Sequence, residues 1–388
     1  MEQILVSVII PAYNAEKYIE ETLDSLIAQS LKNVNFEAIC INDGSTDSTP
    51  NILERYANKD ERFIVLSQEN VGRSIARNAG IEKAKGKYVL FLDSDDLLAP
   101  NTLEVLVQAC EKDNLDIVYF NAEPFLHTTK GEALDANLQK QFKRFERDYK
   151  RTHTYPVLDG KDMMTKMWKN KEYLSSACFQ MTKLSHIQKY NLHFIPGIIH
   201  EDNAYTFQAI LQAKHVGYIP EEFYLRRVHE NSTMTRAKNF SHAYGYFRCY
   251  LALQQFLLEN AKQLASYSVP VEINFQILRN ARMSYLEVQK TSKEEDKKEQ
   301  DKKRQSFNKK PTSIDDLLPF ERFYFKQFVI KPATREVQLK RLQRKREQLK
   351  KIEQSKSYRA TNVILRLPRK LKRAIQASKN SQKEQDSE

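Results

Sequence analysis

Lys87-Tyr88-Val89-Leu90-Phe91-Leu92-Asp93-Ser94-Asp95-Asp96 is an apolar run that ends abruptly in three carboxylates. Such a run reads as a buried strand, and open α/β sheets bind ligands just beyond the carboxyl ends of their strands. In an extended chain Asp93 and Asp95 point to the same side. Two carboxylates brought together in low dielectric are costly unless a cation or strong donors compensate. Mg²⁺ or Mn²⁺, which prefer oxygen ligands, would compensate and still leave positions for phosphate oxygens, so a metal-bound diphosphate is the first expectation. The competing explanation is that the aspartates cap a helix over residues 97–107. Three aspartates in four residues weigh against capping alone, and Asp96 is the one assigned to a cap or to a supporting place behind the ligands.

Working outward, strand-like and helix-like patterns alternate through the first 110 residues. Residues 5–11, 36–42, 62–67 and 87–92 are apolar and read as strands; residues 15–29, 48–57 and 74–84 have helical spacing, with Ile19, Leu23, Leu26 and Ile27 on one face of the first helix. Strands alternating with helices of ten to fifteen residues indicate βαβ units and a parallel sheet. The fold class is therefore α/β, Rossmann-like. No Gly-x-Gly-x-x-Gly phosphate loop occurs, which argues against a dinucleotide-dependent dehydrogenase. Further on, residues 116–121 and 216–218 read as strands, residues 204–212 as a helix, and residues 125–155 as a long excursion. Residues 241–290 read as helical, with Tyr246, Tyr250, Leu253 and Leu257 on one stripe that is most simply core.

The chain of 388 residues carries a net charge of +12 and 41% apolar residues, enough for a sizeable core. The charge is localised. Residues 331–388 contain 18 Lys or Arg against 6 Asp or Glu, and the preceding part contains 44 of each. Cys40, Cys110, Cys178 and Cys249 lie far apart without zinc-ligand spacing, so buried reduced thiols in a cytoplasmic protein are expected. The opening apolar run, residues 4–10, is too short for a signal peptide's apolar region. No run approaches the roughly 20 apolar residues that a spanning helix needs.

Three further clusters fall at strand ends: Pro11-Ala12-Tyr13-Asn14; Asn42-Asp43-Gly44-Ser45-Thr46-Asp47; and Asn70-Val71-Gly72-Arg73-Ser74-Ile75-Ala76-Arg77-Asn78. Tyr13 offers a ring face for a base, Asp43 an acceptor for a base N–H, and Arg77 a cation for carbonyl or phosphate oxygens. Each cluster alone also makes a good turn or cap. Together with Asp93 and Asp95 they define one rim.

Residues 6–100 resemble the family 2 glycosyltransferases, in the motifs Ser7-Val-Ile-Ile-Pro-Ala-Tyr-Asn14, Ile41-Asn-Asp-Gly-Ser-Thr-Asp47, the Asn70 to Gly80 run and Phe91-Leu-Asp-Ser-Asp-Asp96. The resemblance implies the GT-A fold with a helical C-terminal extension. It implies a nucleotide-sugar site drawn from Pro11, Ala12, Tyr13, Asn14, Asp43, Asn70, Arg77, Asp93, Ser94 and Asp95, with Asp93 toward the ribose. Asp95, with Asp93, would ligate Mn²⁺ or Mg²⁺. His200-Glu201-Asp202 resembles the family's Glu-Asp motif, so Asp202 is expected to be the catalytic base with Glu201 as the second candidate. Both carboxylates also suit a helix cap. The run Arg226-Arg227-Val-His229-Glu-Asn-Ser232-Thr-Met-Thr235 resembles a segment of non-processive members, in which Arg226, Arg227 and Ser232 would contact the diphosphate and His229 the metal. The Gln-x-x-Arg-Trp motif of processive synthases is missing, since the single Trp, Trp168, stands in another context.

The expected organisation is a catalytic domain over residues 1–235, with a nucleotide-sugar half over 1–115 and an acceptor half over 116–235. A helical extension follows over 236–330, with a charged linker near 290–310, and then a basic helical tail over 331–388. Within the tail, residues 358–376 are amphipathic: Ile364, Leu367, Leu371 and Ile375 share a face bordered by Arg and Lys, and Pro368 interrupts it. Such segments bind anionic membrane surfaces. Aromatics for base stacking are scarce there, so nucleic acid is not the expected partner. The expected function is metal-dependent inverting transfer of a hexosyl or N-acetylhexosaminyl group. It would run from a nucleotide-diphosphate donor, a UDP-sugar, to a glycan or lipid-linked acceptor at the inner face of the cytoplasmic membrane. The alternatives are a degenerate nucleotide-sugar-binding scaffold acting through its helical C-terminus and a phosphatase with an Asp-x-Asp strand end. For the phosphatase, Asp95 should be followed by Thr or Val, and Asp96-Leu97 is found instead.

Overall fold

The computed structural model describes residues 3–30, 35–126, 136–229, 238–295 and 311–330. Four strands and three helices alternate first: β1 (Val6–Ala12), α1 (Ile19–Ile27), β2 (Phe36–Asp43), α2 (Thr49–Lys59), β3 (Phe63–Gln68), α3 (Arg73–Lys83) and β4 (Tyr88–Phe91). Then come β5 (Leu97–Leu98), α4 (Thr102–Asp113), β6 (Ile117–Leu126), α5 (Ala136–Asp148), α6 (Gly160–Lys169), β7 (Gln180–Lys183), α7 (Leu184–Lys189), α8 (Asp202–Gln212) and β8 (Val216–Val228). Three helices complete the order, α9 (Phe240–Glu259), α10 (Val269–Glu295) and α11 (Pro319–Phe325).

The strands form one sheet in the order β3-β2-β1-β4-β7-β6-β8-β5. β1 pairs in parallel with β2 (Val6↔Phe36) and with β4 (Val6↔Tyr88), and β2 pairs in parallel with β3. Every residue of β1, β2 and β4 is buried, as the β-branched and aromatic runs require of strands covered on both faces. α1 presents Ile19, Leu23 and Leu26 to that sheet at helical spacing. The carboxyl ends of β1, β2, β3 and β4 therefore open on one edge, where Tyr13, Asp43 and Asp93 stand.

Two expectations change. The segment after Asp96 is not a helix: Leu97 and Leu98 pair antiparallel with Leu225 and Tyr224 of β8, and the helix begins only at Thr102. Asp96 is consequently no helix cap. The strand expected at 216–218 extends through Val228 and lies parallel to β6 with register shifts at Asn121, a bend that carries its second half toward Asp95 and Asp96. Residues 125–155 contain α5, while 127–135 lie outside the described residues, as do 296–310, Ser232 and the tail from Lys331.

The region 241–290 is helical, divided between α9 and α10, and Tyr250, Leu253 and Leu257 of the predicted stripe are buried. Phe325 closes this layer, with ring centroids 5.3 Å from Phe240 and 5.1 Å from Phe247. All four cysteines are buried free thiols. Among the described residues no helix is long and apolar enough to cross a membrane.

Candidate active site

The rim begins where β1 and β2 end. Asn14 takes a left-handed conformation, φ 47°, and its side-chain oxygen accepts from the Thr46 amide at 2.9 Å, while its own amide donates to Ser45 Oγ. Short polar side chains tolerate that conformation because they bond locally. Gly44, φ 71°, lies so close to Asn70 that a Cβ would stand 2.6 Å from the Asn70 amide nitrogen, so only glycine fits. Next to these contacts Tyr13 is half exposed, so its ring face is available to a planar group.

Asp43 is buried, and its oxygens accept from Gln68 Nε2 (2.7 Å), Val71 N (3.1 Å) and Gly72 N (2.9 Å). Its carboxylate thus ties the β2 end to the loop that starts α3. This differs from the open acceptor expected, because the orphan amides ahead of a helix compete for the same oxygens.

α3 carries Arg73 and Arg77, one turn apart on the same face. Arg77 is 1% exposed and sits at the centre of the site. Its Nη2 donates to Asp93 Oδ1 at 2.6 Å, and its Nη1 to Glu201 Oε1 at 2.8 Å and to Asp202 Oδ1 at 3.1 Å. Its guanidinium lies 5.2 Å from the Phe194 ring centroid. Arg73 Nε reaches the same Glu201 oxygen at 2.8 Å. Arg77 is therefore a buried hub among carboxylates rather than a side chain extended to a phosphate, since three acidic neighbours engage both of its terminal nitrogens.

The electrostatics separate the carboxylates. Burial alone would raise Asp93, but Arg77 beside it outweighs burial and holds it at about 2. Burial likewise works against ionised Glu201, and Arg73 and Arg77 hold that carboxyl below its ordinary value. Asp202 behaves in the opposite way: burial pushes it up to about 6, with Arg77 opposing and Glu201 reinforcing the rise. Glu201 is 1% exposed while the Asp202 side chain is 23% exposed, so of the two base candidates only Asp202 reaches solvent. Asp202 is the first residue of α8, where the helix dipole tolerates its negative charge.

Asp93, Asp95 and Asp96 each bring a ligand atom to within 4.8 Å of the others. The Asp96 side chain is committed: Oδ2 accepts from Tyr224 Oη at 2.7 Å and Oδ1 from the Arg227 amide at 2.8 Å. Burial, then the neighbouring Asp95, push its carboxyl well above the ordinary value. Asp95 is different. Its Oδ2 lies 3.0 Å from His229 Nε2, and its side chain is 34% exposed. A carboxylate oxygen and an imidazole nitrogen at that separation, with Asp93 beside them, are a donor set that suits Mn²⁺ or Mg²⁺.

Arg227 is turned inward, away from the solvent-facing place expected of a diphosphate contact. Its Nε donates to the Asp95 carbonyl (2.8 Å) and its Nη2 to Glu21 Oε2 (3.0 Å), with the Tyr18 and Phe125 rings 4.7 and 4.6 Å from its guanidinium. Arg226 alternates to the other side of β8, half-buried, with Phe145 and Tyr149 beneath its guanidinium. Burial opposes its charge, but Tyr149, Asp96 and Asp93 more than offset that and keep it protonated.

Tyr224 was missed from sequence, although it bonds both the Asp93 amide and Asp96. Arg73 was missed too, and there the signal existed: two arginines at i and i+4 on an otherwise apolar helix face require acidic partners.

Residues 7–174 match the family model described as glycosyl transferase family 2. The putative glycosyltransferase EpsH of Bacillus subtilis (strain 168) is 32% identical over 296 residues, which is 75% of this chain and 79% of that protein. The putative teichuronic acid biosynthesis glycosyltransferase TuaG of the same organism is 48% identical over 101 residues, 26% of this chain and 39% of that one. Among solved structures, S. aureus TarS 1-349 in complex with UDP-GlcNAc superposes with a TM-score of 0.52 at 22% identity, over 74% of this chain and 82% of that one, a likeness of fold. The chain belongs to the family 2 glycosyltransferases and has the GT-A-type fold that its first hundred residues predict.

Proposed function

We propose that this glycosyltransferase moves a hexosyl or N-acetylhexosaminyl group, with inversion, from a UDP-sugar to a hydroxyl of a cell-surface glycan precursor, with Asp202 as the base. The observation that carries the reading is the Asp202 carboxylate, partly open to solvent, raised to about 6 and bonded to Arg77, which also bonds Asp93. A base works best with its pKa near the operating pH. Asp202 takes the acceptor O–H proton as that oxygen forms its bond to the anomeric carbon. The bond from that carbon to the diphosphate oxygen breaks with its electron pair, and the nucleoside diphosphate leaves. Arg226, the cation facing Asp93 and Asp96, offsets charge on the departing group, and Tyr13 carries the base. Asp95, His229 and Asp93 would hold Mn²⁺ or Mg²⁺, which when bound stabilises negative charge on the diphosphate oxygens.

A uridine donor is supported by the fold shared with a protein solved with UDP-GlcNAc, and a glycan acceptor by a relative named for teichuronic acid synthesis. The basic segment 358–376 supports an acceptor, lipid-linked, that is met at the inner face of the cytoplasmic membrane. The test is a panel of UDP-, GDP- and dTDP-sugars with Mn²⁺. Slow release of nucleoside diphosphate from one UDP-sugar supports the reading, and no binding or turnover of any donor, with or without metal, removes it.

A further inference from the structure

We infer that α9, which comes after the sheet domain in sequence, is a positioning element for the catalytic base, acting through His242 and Tyr246 on His200. This rests on the reading of Asp202 as base and goes beyond it by assigning a role to a helix outside the nucleotide rim.

His200 immediately precedes Glu201 and Asp202 and has φ 66°, a left-handed conformation that a bulky side chain does not favour by itself. Four residues of α9 meet it and its neighbour. His242 Nδ1 is 3.0 Å from His200 Nε2, and the Tyr246 ring stacks on the His200 imidazole with centroids 3.9 Å apart and planes at 13°. The Cys249 thiol donates to the His200 carbonyl at 3.3 Å. At Gly245 the helix comes so close that a Cβ would stand 2.0 Å from the Ile199 carbonyl oxygen. Positions 242, 245, 246 and 249 have the i, i+3, i+4, i+7 spacing of a single helix face. That face grips the His200 side chain by ring stacking and side-chain bonding, and the backbone of residues 199–200 through the Cys249 thiol and the close approach at Gly245.

The grip reaches the base because Asp202 stands only two residues beyond His200. Asp202 is held from one side by Arg77 and from the other by the turn at His200, whose carbonyl also accepts from the Asn203 amide and side chain at 3.1 and 2.9 Å. Without α9 the left-handed turn keeps only the two Asn203 bonds, and the carboxylate shifts from the line of attack. Asp43, Asp95 and Tyr13 lie on other elements and are untouched by such a change, so donor binding should survive it.

The experiment compares His242→Phe, Tyr246→Leu and His242→Asn in the full chain. Turnover is read as UDP release to water from whichever of UDP-glucose, UDP-galactose and UDP-N-acetylglucosamine turns over fastest, and donor-site integrity as UDP affinity with Mn²⁺ by calorimetry. A misplacement of the base by about 1 Å costs on the order of 10²-fold in rate. His242→Phe and Tyr246→Leu should lose that order of kcat and keep UDP affinity within about twofold, and His242→Asn, which restores a side-chain bond to His200, should recover most of the rate. If His242→Phe does not fold, Tyr246→Leu carries the comparison. An unchanged kcat, or a parallel fall in kcat and UDP affinity, overturns the inference. If Asp202→Asn keeps its rate while the α9 variants lose theirs, the assignment of the base falls and the clamp inference falls with it. If Asp202→Asn abolishes turnover and the α9 variants do not, only the clamp falls.

Discussion

Arg77 Nη1 lies 3.1 Å from Asp202 Oδ1 in a site where the arginine itself is 1% exposed. The same guanidinium reaches Asp93 at 2.6 Å, so one buried cation joins the residues just past β4 to the start of α8. Removing one partner of a buried ion network leaves uncompensated charge.

Arg77→Met should therefore destabilise the fold by about 3–5 kcal/mol, because Asp93, Glu201 and Asp202 lose their common donor. Chemical denaturation measures it. Arg77→Lys should fall between, since a lysine has no planar fork to meet three carboxylates. A midpoint for Arg77→Met equal to that of the unaltered chain would contradict the hub.

The pH profile of turnover should have an acid limb set by Asp202. Below about 6 the carboxyl is protonated and cannot accept the acceptor's proton, so the rate rises with pH and levels off above it. The stability effect has the reverse sign. The folded state holds this proton more tightly than the unfolded chain does, so the Asp202 contribution to stability declines as pH rises from about 4 to 6. Steady-state rates from pH 5 to 8 locate the limb, and a limb near 4 would mean another base.

Asp95 and Asp96 should separate. Asp95→Asn is expected to lower Mn²⁺-dependent UDP affinity by at least about tenfold with little change in stability. Asp96→Ala leaves Tyr224 Oη and the Arg227 amide without their acceptor and should cost about 1–3 kcal/mol. Calorimetry with UDP and Mn²⁺, paired with denaturation of each variant, distinguishes them, and interchanged phenotypes would reverse the assignment.

Removal of residues 331–388 should weaken binding to phosphatidylserine-containing vesicles while leaving UDP release unchanged. Each Lys or Arg near an anionic surface contributes about 1 kcal/mol, so the loss is expected to be large and salt-sensitive. Sedimentation with vesicles at two salt concentrations measures it, and unchanged binding would refute the tail as an anchor.

The first four strands were legible because each is an apolar run bounded by polar turns, and β1 to β4 begin and end within a residue or so of their pattern. β5 was not legible: two leucines after three aspartates look like a helix start, and only β8 lying opposite makes them a strand. β8 itself starts as a short apolar run, and Pro220-Glu221-Glu222 end that pattern in sequence long before the strand ends in space. The site's residue types were legible, but their partners were not. Asp43 and Arg77 were read as facing a ligand, yet their contacts depend on loops and helices that close from 25 to more than 120 residues away in sequence. His200 gave no periodic signal because it stands in a single left-handed turn, and its partners on α9 looked like ordinary core.

The central claim is tested most directly by Asp202→Asn, with the rate of UDP release and the affinity for UDP with Mn²⁺ measured on the same preparation. General-base catalysis contributes about 10²–10⁴-fold, so turnover should fall by that order while UDP affinity stays within about twofold. A variant that keeps its rate, or that loses rate and UDP affinity together, would contradict Asp202 as the base of this transferase.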